Sequence, residues 1–189
     1  MSQPTLRPQD ILVLAKLLSY RGRRPPMAQM GIDLSISSSE IHGALKRLAL
    51  CRLVSSDADG NRPLLEAVEE FLVHGVKYAF PAKRGEVTRG VLTSYAAPPL
   101  NKDIERGSDL PPVWPFSEGE HRGISLEPLY KTAPAAALRD KSLYEVLALI
   151  DAIRDGRARE RKLAAKELSD RIRHYADDRP ESDFARKRR

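Results

Sequence analysis

Apolar residues recur at helical spacing in several separate stretches of the chain. In PQDILVLAKLL, Ile11, Leu14, Ala15 and Leu18 share one face, Pro8 suits a first turn, and Gln9 and Asp10 favour the positive end of a helix dipole. A first helix is expected to stop at Tyr20-Arg21-Gly22, because the tract RGRRPP that follows supplies a glycine stop and two prolines. A short helix from Ala28 to Leu34 comes next. Ser37 and Glu40, three apart, have the spacing of a capping box, in which the serine oxygen takes an orphan amide and the glutamate returns the bond. A helix therefore starts at Ser38. Its Ile41, Ala44, Leu45 and Leu48 fall on one face, which at about 100° per residue turns Ser39, His42, Gly43 and Lys46 to the other.

Beyond this helix, Cys51 to Val54 reads as a short strand and Asp59-Gly60 as a hairpin turn, the place for a small wing. The run LLEAVEEFLVHGVKYAF returns to helical register through Leu64, Leu65, Val68, Phe71 and Leu72, with Gly75 as a weak point before Pro81. From Pro81 to Pro134 the pattern changes. Eight of the fourteen prolines lie there, together with Trp114, so long helices are not expected. Two pieces, RGVLTSYAAPP from Arg89 and RGISLEPLY from Arg122, share an Arg-Gly-aliphatic start and β-like composition, and are expected to pair as strands. Seven of the eleven aromatics fall between 71 and 130, as anchors for the prolyl loops or, alternatively, as the lining of an effector pocket.

The last third is helical again. Ser142 and Glu145 suggest a second capping box ahead of an apolar stripe, Leu143, Val146, Leu147, Ile150 and Ile153, that ends at Gly156. A further helix from Arg157 to Tyr175 carries Ala164, Leu168, Ile172 and Tyr175 on a narrower stripe, with Glu167 and Arg171 as a favourable pair four apart. The two helices are expected to form an antiparallel hairpin. The fold class is therefore mainly α with a small β component. Its organisation is a winged helix-turn-helix over 1–80, a proline-rich arm or small sheet over 81–135, a helical hairpin over 136–176, and a disordered basic tail over 177–189.

Composition changes this picture mainly by exclusion. With 189 residues, 41% of them hydrophobic and 31% charged, the chain is long enough for a core and is not of disordered type. No stretch reaches the roughly 18 apolar residues of a bilayer span, so no membrane partner is expected. The lone Cys51 excludes an internal disulfide and a cysteine zinc site, and the start lacks a secretory pattern, so a cytoplasmic location is expected. His42, His74, His121 and His174 stand at no metal spacing, and no HExxH, phosphate loop or GxSxG occurs. The reading is accordingly that the chain is not an enzyme and uses no metal and no cofactor. Charge is the informative quantity. Residues 1–54 hold 8 basic and 3 acidic side chains, a net +5, and 141–189 hold 14 and 10, a net +4, while the middle is slightly acidic. A basic N-terminal unit points to a polyanion.

The stretch DLSISSSEIHGALKRL resembles the turn and recognition helix of bacterial winged helix-turn-helix transcriptional regulators, the MarR-type among them, with Leu34, Ile36, Ser37 and the run from Ala44 to Leu48 at their core and contact positions. Met30-Gly31 departs from the Leu-Ala often found there, and the wing is short. The resemblance covers about residues 8–62 and implies a dimeric repressor on double-stranded DNA. Ser37, Ser38, Ser39, His42, Gly43 and Lys46 would then face the major groove. Arg21, Arg23 and Arg24 would clamp phosphates ahead of the second helix, and Arg47 and Arg52 would flank the recognition helix. Two half-sites about one turn apart call for a homodimer, assigned to Leu143, Leu147, Ile150, Leu168 and Ile172 of the hairpin. The alternative is an antitoxin or adaptor whose middle and C-terminal regions bind a protein partner.

Overall fold

The computed structural model describes residues 5–21, 26–55, 61–104 and 109–177. The fold is mainly helical with one small three-stranded sheet. Three helices open the chain: α1 (Pro8–Ser19), α2 (Met27–Leu34) and α3 (Ser38–Leu50). A continuous helical rod follows, made of α4 (Leu65–Glu70), a π-helical turn (Phe71–Gly75) and α5 (Val76–Ala79). Val68, Leu72 and Val76, four apart, are all buried. In a regular α-helix a spacing of four drifts by about 40° each step, and the wider π turn takes up that drift and holds all three on one face.

The middle of the chain contributes β1 (Arg84–Leu92), β2 (Pro112–Pro115) and β3 (His121–Leu126), which close on one another. β1 runs antiparallel to both others, and the two Arg-Gly segments meet only where Arg89 stands opposite Arg122: Gly90, Val91 and Leu92 pair with β2, while Gly123 and Ile124 pair with Thr88 and Val87, ahead of the first segment. Their glycines have a common reason: a Cβ on Gly90 would strike the Trp114 carbonyl, and one on Gly123 the Pro111 carbonyl. Of the strand expected at Cys51 to Val54, one bridge forms, Val54 to Pro63, and the Asp59-Gly60 turn lies outside the described residues.

The C-terminal part is α6 (Ala133–Arg139), α7 (Lys141–Asp155) and α8 (Ala158–Asp177). α7 and α8 lie antiparallel, with Arg171 bound to Glu145 at 2.9 Å and to Glu167 at 2.6 Å. The cap of α7 differs from the sequence expectation. Asp140 is the N-cap and accepts from the Leu143 amide at 3.0 Å, which leaves Ser142 inside the first turn and frees Glu145 for Arg171. Aspartate two residues earlier wins because its carboxylate caps the Leu143 amide and also binds the buried Lys16.

The largest departure concerns how the parts pack. α1 is not amphipathic: Ile11, Leu12, Val13, Leu14 and Ala15 are all 0% exposed, because α3 covers one side and α7 the other. One hydrophobic core runs from α1 to α8. The residues assigned to a subunit interface, Leu143, Leu147, Ile150, Leu168 and Ile172, are 0–2% exposed in the single chain. That assignment is corrected: α7 closes its seam on α1, and α8 closes its own on α7 and α4. Each such side chain gains about 1.5–3 kcal/mol from burial, a gain already realised without a second copy.

Candidate nucleic-acid interface

The second and third helices are joined by a turn that the sequence prepares closely. Ser35 ends α2 in the left-handed region, with φ 54° and ψ 47°. The chain then folds so tightly that the Ile36 amide donates to the Gly31 carbonyl at 2.9 Å, and a Cβ on Gly31 would stand 2.8 Å from the Ile36 carbonyl oxygen. Glycine is the side chain this approach admits. The predicted capping box forms in full. The Glu40 amide donates to Ser37 Oγ at 3.3 Å, and the Ser37 amide donates to Glu40 Oε2 at 3.2 Å. The Ser37 hydroxyl adds a bond to the same carboxylate at 2.7 Å, and Gln9 Nε2 donates to its other oxygen at 3.3 Å. Hydrogen bonds from the Ser37 side chain and backbone and from Gln9 hold the Glu40 carboxyl below its ordinary range.

Ser37, Ser38, Ser39, His42 and Lys46 are exposed. Ser39, His42 and Lys46 recur at intervals of three and four, so they form one stripe along the solvent side of α3, and the exposed Leu50 prolongs it. Gly43 is half-buried, and its nearest neighbour is the Arg47 guanidinium, which a Cβ would meet at 3.3 Å. The missing side chain thus has a local purpose: it makes room for Arg47 to fold back across the helix.

Arg47 is held from within the protein. Its Nε and one terminal nitrogen donate to the two oxygens of Asp10 at 2.8 and 2.6 Å, a two-pronged bond to a carboxylate with no exposure. Asp10 also accepts from the Arg7 amide at 2.9 Å. The pairing pushes the Arg47 pKa upward. Arg47 is therefore a brace between α1 and α3 and is not among the outward groups. Sequence reasoning placed Asp10 at a helix start and missed this bond. The signal was an acid at the edge of a fully apolar run, which needs a cation once the helix is buried on every side.

A second clamp fixes the far end of the unit. The Lys16 ammonium, on a side chain 5% exposed, lies 3.0 Å from Asp33 and 2.8 Å from Asp140, and 4.6 Å above the Tyr20 ring. Tyr20 donates to Asp33 at 2.7 Å, Ser19 donates to Asp140 at 2.9 Å, and Arg139 donates to the Asp33 carbonyl and to Ser35 Oγ. Burial pulls the Asp33 and Asp140 carboxyls upward, but the bonds from Gln29, Tyr20 and Lys16 to the first outweigh it, as do those from Lys16, the Leu143 amide and Ser19 to the second. Both end below the ordinary aspartate range. α1, α2 and α7 are joined at this point.

Comparison with protein families, with curated proteins and with solved structures finds no match. The reading of the site therefore stands on its own geometry. Arg21 and Arg52 are exposed and both have positive φ, 49° and 57°, which turns each out of the helix it follows. Arg23 and Arg24 lie outside the described residues, as does the tail beyond Asp177. Cys51 is half-buried at the C-terminal end of α3, and burial, then the charge of Asp10, push its thiol upward, away from the reactive thiolate. Among the described residues no group of three or more His, Cys, Asp or Glu side chains is placed to hold a metal, and no helix is long and apolar enough to cross a membrane.

Proposed function

We propose that the chain is a sequence-specific DNA-binding transcriptional regulator, a dimeric repressor, that lays α3 in the major groove. The observation that carries this reading is the pose of α3. It is 13 residues long, capped at its start, tied to α1 by Gln9–Glu40 and Asp10–Arg47, and open to solvent along Ser38, Ser39, His42 and Lys46. A major groove about 12 Å wide admits one such helix, and a reading helix needs a second helix fixed behind it. Hydroxyls, an imidazole and an ammonium offer hydrogen bonds to base edges, and Lys46 suits the O6 and N7 acceptors of guanine. Arg21 and Arg52 stand at the ends of α1 and α3 as candidates for phosphates. Pairing of two copies would use surfaces other than the α7–α8 seam.

The test is fluorescence anisotropy on a duplex from the chain's own upstream region and on random duplex, as salt rises. Affinity falls with salt, since each phosphate contact releases counterions. Lys46→Ala costs about 1–3 kcal/mol on the specific duplex only, whereas Arg52→Ala weakens both alike. No complex at micromolar protein in low salt overturns the reading.

A further inference from the structure

The sheet carries a charge arrangement that the folded chain does not explain. Arg89 of β1 and Arg122 of β3 are direct cross-strand partners. Directly opposed residues of an antiparallel pair share a face with Cβ atoms about 5 Å apart, and like charges in that position destabilise the pair. Both arginines are exposed, and among the described residues neither side chain has a hydrogen-bond or ion-pair partner. Their neighbours show the contrast: Arg84 on the same strand binds Asp155 at 2.7 Å, and Lys83 lies 3.7 Å from Glu127. The nearby carboxylates Glu86, Glu118 and Glu120 are exposed and engage neither Arg89 nor Arg122.

The setting fixes the two positions from which these side chains leave the sheet. Val87 lies opposite Ile124 two residues along, on the same face, so the pair has an aliphatic floor, with Val87 41% exposed. Beneath, the close strand approach at Gly90 and Gly123 leaves no space for a register slip that would separate the arginines. From residue 84 to 87 every position of β1 is exposed, so the ribbon beside the arginines is open to solvent. Two guanidinium forks carried on directly opposed positions of adjacent strands suit the oxygens of one phosphodiester.

We infer that Arg89 and Arg122 form a phosphate clamp on the β1–β3 ribbon, a second nucleic-acid contact besides α3, taking one backbone phosphate of the bound duplex. The inference rests on the DNA reading above. It carries no base specificity, because a phosphate contact positions the protein without reading sequence.

The experiment compares the full chain with Arg89→Gln/Arg122→Gln by anisotropy on specific and random duplexes across a salt series, with Lys46→Ala alongside and thermal unfolding of each. The double variant binds both duplexes about tenfold more weakly. Its slope of log affinity against log salt is shallower by about 0.9, the value of one phosphate. Its unfolding temperature is equal to wild type or higher, because a repulsive pair has been removed. Unchanged affinity and slope in the double variant, with Lys46→Ala still impaired, overturn the clamp and leave the DNA reading intact. A lower unfolding temperature overturns it too, since it reveals a structural partner for the arginines. Wild-type protein that binds neither duplex overturns both readings.

Discussion

Two residues on α3 one position apart, Lys46 and Arg47, have opposite circumstances. Lys46 is exposed, while Arg47 is bound through two nitrogens to a carboxylate with no exposure. Removing one partner of such a pair strands a charge, so Asp10→Ala lowers folding stability by about 3 kcal/mol. Arg47→Ala, which likewise leaves Asp10 buried without its counter-charge, has a comparable effect. In a double-mutant cycle followed by urea unfolding the two couple by more than about 1 kcal/mol. Lys46→Ala stays within about 0.5 kcal/mol of wild type, as an exposed substitution should. A cycle that is additive for Asp10 and Arg47 contradicts the brace. The residue types alone did not separate these two basic side chains, because the partner of Arg47 is 37 positions away.

At the scale of elements, the joint of α1, α2 and α7 makes stability depend on pH. Asp33 and Asp140 have carboxyl pKa values lowered by folding, so the stability they add is present above the unfolded value of about 3.9 and is lost as pH falls through the lower folded values. Denaturant midpoints are expected to be flat near neutrality and to drop below about pH 4. Asp140→Asn, whose amide still caps α7, shows a shallower drop; an identical acid profile argues against the clamp. Where local signals were strong the elements were legible: the Ser37–Glu40 box, the stripes of α7 and α8, and the Arg-Gly pieces that supply the end of β1 and most of β3, whereas β2 and α6 were not expected. Two adjustments came from competition between neighbours. Asp140 displaced Ser142 as cap, since it also answers Lys16, and the strand after Cys51 shrank to a single bridge. The site's outward stripe was likewise readable from periodicity, while its braces join residues 13 to 124 positions apart, which no local pattern encodes.

For the molecule as a whole, the division into an N-terminal reader and a C-terminal hairpin does not survive packing, because α1 belongs to both. A chain ending at Asp140 lacks the cover on one side of α1, and we expect it to show no cooperative unfolding transition in circular dichroism. A sharp transition in that fragment contradicts the shared core.

The complete enclosure of α1 also bears on how the protein is made. A chain leaves the ribosome from its N-terminus at about 5–20 residues per second, so Ile11 to Ala15 emerge roughly 7–30 s before the end of α7 does. Throughout that interval the greasiest segment of the nascent chain has no lasting shelter, and it is the stretch on which a chaperone has most reason to wait. The fixed pose of α3 then arrives late in synthesis and all at once: a prematurely terminated product would display the sequence of α3 without the rigid backing that aims it.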